Sequence, residues 1–251
     1  MKTALITGAT SGIGKATAER FADEGIRLVL CGRRIERLEE LKDRLGGKVD
    51  VHIEHFDIRN KDVVFEKLAN LPKNFSDIDI LINNAGNAHG LDPIQSGNVD
   101  DWEAMLDINV KGLLYVSKVI MGKMVAKKSG HIINIGSTAG KSVYPKGNVY
   151  CASKYAVDAL TQAMRIDLNE YGIKVGAVNP GFVETEFSIV RLKGDIEEAK
   201  KVYQGFQALK PEDIADIIYF MISRPYHVNI ADVLVMPTAQ ASNFVLNRKY
   251  S

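Results

Sequence analysis

Seven short runs of β-branched and aliphatic residues, parted for most of the length by longer stretches of helical periodicity, constrain the fold of this chain more than any other feature. The runs fall at 3–7, 27–31, 51–56, 78–83, 131–135, 174–179 and 233–236. Helical patterns occupy 14–24, 35–45, 61–71, 101–126, 149–171 and 211–222. Strands joined by crossovers of helix length lie parallel, and the crossing helices cover the faces of the sheet. The expected architecture is therefore α/β, a doubly wound parallel sheet of about seven strands with helices on both faces. Ligands of such sheets bind beyond the carboxyl ends of the strands. Every motif described below lies at such a strand end or in the segment that follows it.

At 251 residues, with no repeat, low-complexity tract or linker, the chain is expected to form one domain over 1–251. Thirty-two Lys and Arg against 31 Asp and Glu leave a net charge of +1, so no global field draws nucleic acid or an anionic membrane. No apolar run approaches the roughly 20 residues that a bilayer span requires. The start, Met1-Lys2-Thr3-Ala4-Leu5-Ile6-Thr7, runs straight into a glycine loop and is too short for a signal peptide, so none is expected. Cys31 and Cys151 share no local motif, which fits the reduced cytoplasm better than a disulfide framework. His52 and His55 would point to opposite faces of a strand, so no metal site is expected.

The first strand ends in Thr7-Gly8-Ala9-Thr10-Ser11-Gly12-Ile13-Gly14 and enters a helix. Glycines there permit a tight turn and bring backbone amides, with the helix N-terminus, close to phosphate oxygens. The spacing is G-x-x-x-G-x-G, which differs from the G-x-G-x-x-G dinucleotide fingerprint. The second strand ends in Gly32-Arg33-Arg34. A carboxylate at this junction would accept the ribose hydroxyls of NAD; a glycine and two guanidiniums suit an additional phosphate, hence NADP. Asp57, after the third strand, either accepts the adenine amino group or caps the next helix. Asn83-Asn84-Ala85-Gly86 ends the fourth strand, where amides and small residues hold a chain beside a cofactor or simply form a tight turn.

Tyr150 precedes Lys154 by four residues, and Ser137 lies thirteen positions upstream of the tyrosine. On a helix the phenol and the ammonium share one face. A cationic neighbour favours the phenolate, so the pair is expected to lower the tyrosine toward neutrality for proton exchange, with the serine hydroxyl holding an oxygen beside it.

Together these residues resemble the short-chain dehydrogenase/reductase family over almost the whole chain, through the glycine loop, Asn83-Asn84-Ala85-Gly86, Asn109, Ser137, Tyr150, Lys154, and Pro180-Gly181 with Thr185. The resemblance implies a Rossmann fold in which one NADP-binding and catalytic domain carries both sites. It implies that Ser137 orients the substrate oxygen, Tyr150 is the acid/base, and Lys154 binds the nicotinamide ribose while lowering the tyrosine. Asn109 would hold a water linking Lys154 to solvent. Gly8, Thr10, Ser11, Gly12, Ile13, Gly14, Arg33, Arg34, Asp57, Ile58 and Asn84 would bind the cofactor, with Pro180, Gly181, Val183 and Thr185 at its far end. The segments Gly32-Arg33-Arg34-Ile35-Glu36-Arg37-Leu38, Ile135-Gly136-Ser137-Thr138-Ala139-Gly140 and 187–195 look more narrowly like the NADP-dependent 3-hydroxy acid dehydrogenases, a group that includes serine and L-allo-threonine dehydrogenases. The tail departs from the broader family, whose last strand commonly ends in an Asp-Gly-Gly segment.

The leading expectation is an oxidoreductase passing hydride between NADP and the C3 hydroxyl of short 3-hydroxy acids such as serine, allo-threonine or 3-hydroxypropionate. A broad ketone or 3-oxoacyl reductase is the second reading, and a dinucleotide sensor without chemistry the third; a sensor has no need of all four catalytic residues. Residues 187–207 sit where the crevice opens and are expected to form a substrate lid. There Arg191 is the best placed cation for a substrate carboxylate, with Lys146 and Lys193 as rivals. The helical stretches 101–126 and 149–171 carry Leu113, Leu114, Val116, Ile120, Ala159, Leu160 and Met164, more apolar positions than one sheet-facing stripe uses. The resemblance implies that these stretches pair across a two-fold axis, giving a homotetramer.

Overall fold

The computed structural model describes residues 1–248. Its strands are β1 (Thr3–Thr7), β2 (Arg27–Gly32), β3 (Val51–His55), β4 (Ile80–Asn83), β5 (Gly130–Ile135), β6 (Ile173–Pro180) and β7 (Asp232–Val235). The helices are α1 (Gly12–Asp23), α2 (Ile35–Leu45), α3 (Lys61–Ala69), α4 (Val99–Leu106), α5 (Leu113–Lys127), α6 (Asn148–Asp167), α7 (Phe187–Arg191), α8 (Ile196–Val202) and α9 (Pro211–Ile222). All strands pair in parallel in the order β3-β2-β1-β4-β5-β6-β7. The order runs outward from β1 in both directions, so the crevice between β1 and β4 is the switch point.

Alternation along β1 explains why both faces are covered. Ala4 and Ile6 point into a core with Phe21 of α1, Leu38 and Leu41 of α2, and Ile214 and Ile218 of α9. Leu5, between them, points into the opposite core with Val64 of α3, Val116 and Ile120 of α5, and Val157 of α6. Burying one such aliphatic side chain contributes roughly 1.5–3 kcal/mol. No helix among the described residues is long and apolar enough to cross a membrane.

The seven strands fall where the sequence places them, with ends differing by a residue or two. The helical stretch 101–126 is instead broken: α4 passes through a π-helical segment, Asp107–Gly112, into α5. Asn109 sits in that segment, its Oδ1 accepting from the Asn87 amide at 2.9 Å and its Nδ2 donating to the Asn87 carbonyl at 2.8 Å. Gly112 presses onto Ile58; a Cβ there would lie 2.6 Å from the Ile58 Cδ1. The stretch 149–171 ends as α6 at Asp167, followed by a single 3₁₀ turn, Asn169–Tyr171. The apolar surplus divides: Leu113, Val116, Ile120 and Met164 are buried in the chain's own core, whereas Leu114 and Leu160 are half-buried and Ala159 is exposed. The large apolar side chains these helices leave exposed are Leu106, Tyr155 and Ile166.

Candidate active site

A cleft of about 770 Å³ lies beyond the carboxyl ends of the central strands, lined by residues running in sequence from Gly8 to Arg248. Its floor begins at the glycine loop. Gly8 and Gly12 adopt φ of +65° and +50°, left-handed values that a side chain would strain. Asn84 braces the turn, its Nδ2 donating to the carbonyls of Thr7 at 2.9 Å and Gly8 at 3.2 Å. Ser11 stands before α1 without spending its hydroxyl on the helix, so the first-turn amides remain for an anion. Thr10, Ser11, Gly12 and Ile13 line the cleft, whereas Gly14 lies behind the loop. A Cβ on Gly14 would sit 2.4 Å from the Gly8 carbonyl oxygen, so its role is close packing rather than contact with a ligand.

The arginine pair divides its work. Arg34 donates to Thr10 Oγ1 at 3.0 Å, Ser11 Oγ at 2.8 Å and Glu186 at 2.8 Å. Glu186 also takes Arg37 at 2.7 Å, and the guanidiniums hold its carboxyl below the usual range against the opposing effect of burial. Arg33 is more exposed, its guanidinium 3.6 Å from Asp57. Asp57 is gripped by Arg59 at 2.7 Å, and it too is held low although burial opposes this. Two hydroxyls, two guanidiniums and a helix N-terminus at one end of the cleft form a donor set that fits the phosphates of a dinucleotide, with Ile58 and Asp57 beside them. Asn83 turns away into the core, donating to Ser117 Oγ at 2.8 Å and Asn134 Oδ1 at 2.9 Å.

At the other end α6 presents Tyr150 and Lys154, both buried, to the same cleft as Ser137. Lys154 Nζ donates to the Ile135 carbonyl at 2.9 Å, and burial pulls its ammonium down to about 8. Tyr150 departs from expectation. Burial pushes its phenol up, with the neighbouring Tyr144 adding to this, while hydrogen bonding by Ser137 and the charge of Arg191 pull the other way. The lysine is turned onto the end of β5 instead. Asn109 lies behind the cleft, its Nδ2 donating to Ser153 Oγ at 2.9 Å, while Ser153 in turn donates to the Tyr150 carbonyl at 2.7 Å. Pro180, Gly181 and Val183 form a wall, and Thr185 lies over the glycine loop, its Cγ2 3.1 Å from where a Gly12 Cβ would be.

Arg191, at the end of α7, reaches into the cleft with its Cζ 5.4 Å from the centre of the Tyr150 ring. It donates to Tyr144 Oη at 2.8 Å and to the Gly90 carbonyl at 3.3 Å, and no carboxylate pairs with it among the described residues. Its rivals are elsewhere: Lys193 is bound to Asp101 at 2.8 Å, and Lys146 lies outside the cleft on a small neighbouring depression.

Several lining residues escaped the reading of the sequence. Glu186 ties α7 to the arginines of the second strand, and Phe187, placed beforehand only within the lid, packs at a tilt against Tyr150 with 5.6 Å between ring centres. From the tail, Gln240 accepts from the Phe182 amide at 3.0 Å, and Asn243 donates to the carbonyls of Thr138 at 3.0 Å and Ser142 at 2.6 Å. Arg248 caps the carbonyl end of α8, reaching the Val202 carbonyl at 3.0 Å. The only signal available for Glu186 was its charge beside Thr185; the tail carries none.

A parallel sheet with a glycine loop at its switch point and a serine, tyrosine and lysine across the cleft defines a class, and a profile of the short chain dehydrogenase family matches residues 2–194. The chain belongs to that family. It is 45% identical over 238 residues to the NADP-dependent 3-hydroxy acid dehydrogenase YdfG of Escherichia coli (strain K12), covering 94% of this chain and 95% of that protein. A sulfoacetaldehyde reductase of Chromohalobacter salexigens is 44% identical, with 94% of each chain covered. Among solved structures, the closed form of serine dehydrogenase complexed with NADP+ superposes with a TM-score of 0.93 at 44% identity, covering 99% of this chain and all of that one.

Proposed function

We propose that the chain is an NADP-dependent dehydrogenase that oxidises the C3 hydroxyl of short 3-hydroxy acids, and reduces the corresponding 3-oxo compounds in reverse. The observation that carries the substrate class is Arg191, a guanidinium without a carboxylate partner, held over the ring of the acid/base tyrosine. The relatives named for 3-hydroxy acid and serine dehydrogenation support the same reading. Bound NADP supplies the hydride acceptor at its nicotinamide, and NADPH the donor. Arg33, Arg34, Thr10 and Ser11, which line that end of the cleft, would hold its phosphate groups. Ser137 hydrogen-bonds the substrate oxygen, and Tyr150 Oη receives the hydroxyl proton in oxidation or returns it in reduction. The charge of Arg191 favours the phenolate that this transfer needs. Lys154 binds the nicotinamide ribose, and Asn109 holds a water linking it to solvent. Residues 187–207 act as the lid, and one domain serves both cofactor and substrate. The paired α4–α6 surfaces make the working form a homotetramer. The two buried free cysteines fit a cytoplasmic setting.

A sulfonate would satisfy the same cation, and the relatives named sulfoacetaldehyde reductase favour that as a second reading. The test follows nicotinamide absorbance with L-serine, 3-hydroxypropionate, sulfoacetaldehyde and an uncharged ketone. Arg191→Ala is expected to raise KM for the acid about ten- to a hundredfold more than for the ketone, the loss typical of a charged hydrogen bond. Equal losses on both would end the assignment of Arg191 to the substrate anion.

A further inference from the structure

Tyr144 has a hydroxyl that the family's catalytic residues do not account for. It lies on the loop between β5 and α6, in a turn closed by the Gly147 amide donating to the Tyr144 carbonyl at 3.0 Å, and its side chain lines the cleft. Gly147 leaves room for the ring: a Cβ there would meet the Tyr144 ring and Cys151 Sγ at 2.7 Å. Arg191 Nη1 donates to Tyr144 Oη at 2.8 Å. The ring also lies 5.5 Å from the Arg191 Cζ. Burial raises the Tyr144 phenol, so it stays protonated, and the charge of Arg191 only partly offsets this. A phenol that accepts from a guanidinium must direct its own proton elsewhere. Among the described residues, no acceptor takes that proton. Arg191 likewise keeps N–H groups beyond those given to Tyr144 and Gly90.

We propose that Tyr144 and Arg191 together form a two-point receptor for the anionic group of the substrate, with the phenol O–H donating to one oxygen and the guanidinium to the other. The inference rests on the Arg191 reading given above and extends it to a second residue. An arginine alone attracts any anion and fixes no direction. A donor pair held 2.8 Å apart matches two oxygens of one planar or tetrahedral anion and sets the substrate's register against Tyr150. Through this pair the enzyme selects short acids with the anion close to the reacting carbon, and the longer thioesters of acyl reductases lack the charge that it addresses.

Tyr144→Phe removes the oxygen and leaves the ring, so the loop keeps its packing. The measurement is kcat/KM for 3-hydroxypropionate and, with NADPH, for sulfoacetaldehyde and an uncharged short ketone, in the wild type, Tyr144→Phe, Arg191→Ala and the double variant. The acid-to-ketone selectivity is expected to fall about tenfold in Tyr144→Phe. The double variant should lose much less than the product of the single losses, because both residues hold one group. General damage to the loop would lower all substrates alike and leave the ratio where it was, which would overturn the proposal. Additive losses in the double variant would overturn it as well. If Arg191→Ala lowers selectivity and Tyr144→Phe does not, the two-point receptor falls and the Arg191 reading stands. If Arg191→Ala does not change selectivity, both fall.

Discussion

Lys154 offers a stability test of the site that needs no substrate. Its ammonium is buried, holds one carbonyl at 2.9 Å and is pulled from 10.5 to about 8. That drop corresponds to about 3 kcal/mol at low pH, on the order of 1.4 kcal/mol per pH unit. The sign is destabilising. In the window between about 8 and 10.5 the unfolded chain binds the proton and the folded chain does not, so stability rises with pH there. Below about 8 the full penalty is present. Lys154→Met keeps the aliphatic stem and discards the charge, but it gives up the bond to Ile135, worth about 1 kcal/mol. The variant apoprotein should therefore be more stable than wild type by about 1–2 kcal/mol near neutrality, while losing activity. Urea unfolding of both proteins at several pH values measures it, and the gap should close as pH rises through the window. A variant less stable than wild type by the same amount at every pH would refute the claim that this ammonium is held at a cost.

Tyr150→Phe should abolish turnover while NADPH still binds, as read by its nicotinamide fluorescence, because only the phenol oxygen is lost. A variant that kept near wild-type kcat would remove Tyr150 from proton transfer. Arg33→Ala should lower the preference for NADP over NAD by about tenfold or more, the loss expected for a charged hydrogen bond, seen in the ratio of kcat/KM values. Equal wild-type values for the two cofactors would count against the phosphate reading. Light scattering should return a tetramer, and Ile166→Glu, at a 74% exposed position on α6, should shift it toward smaller species.

What the sequence made legible was local. The strand runs, the glycine loop and the four-residue interval from Tyr150 to Lys154 are set by periodicity and neighbouring residues, and the structure assembles them at one cleft. Contacts across the chain were not legible. Glu186 meets Arg34 across 152 positions, and Asn243 reaches Thr138 across 105, with no pattern in between to announce either. The place of the Lys154 ammonium was not legible for a similar reason: helical spacing puts it on one face with Tyr150, but the end of β5 takes it. Within the π-helical segment Asn109 and Gly112 meet Asn87 and Ile58, contacts that no local pattern announces. One signal was present and unused. Asp195 followed by Glu198 is an acidic cap pattern, and the Asp195 carboxylate accepts from the Glu198 amide at 3.0 Å to open α8.

The cleft takes its first lining residue from position 8 and its last from position 248. During synthesis the glycine loop and the first strands leave the ribosome well before the tail that pins the Thr138 turn through Asn243 and holds α8 through Arg248. A nascent chain can thus form its glycine loop and pair its first strands while its substrate wall is still missing. Catalytic competence arrives last. The same order applies in reverse to a protease that trims the tail, which would strip substrate grip before it touched the core or the cofactor end.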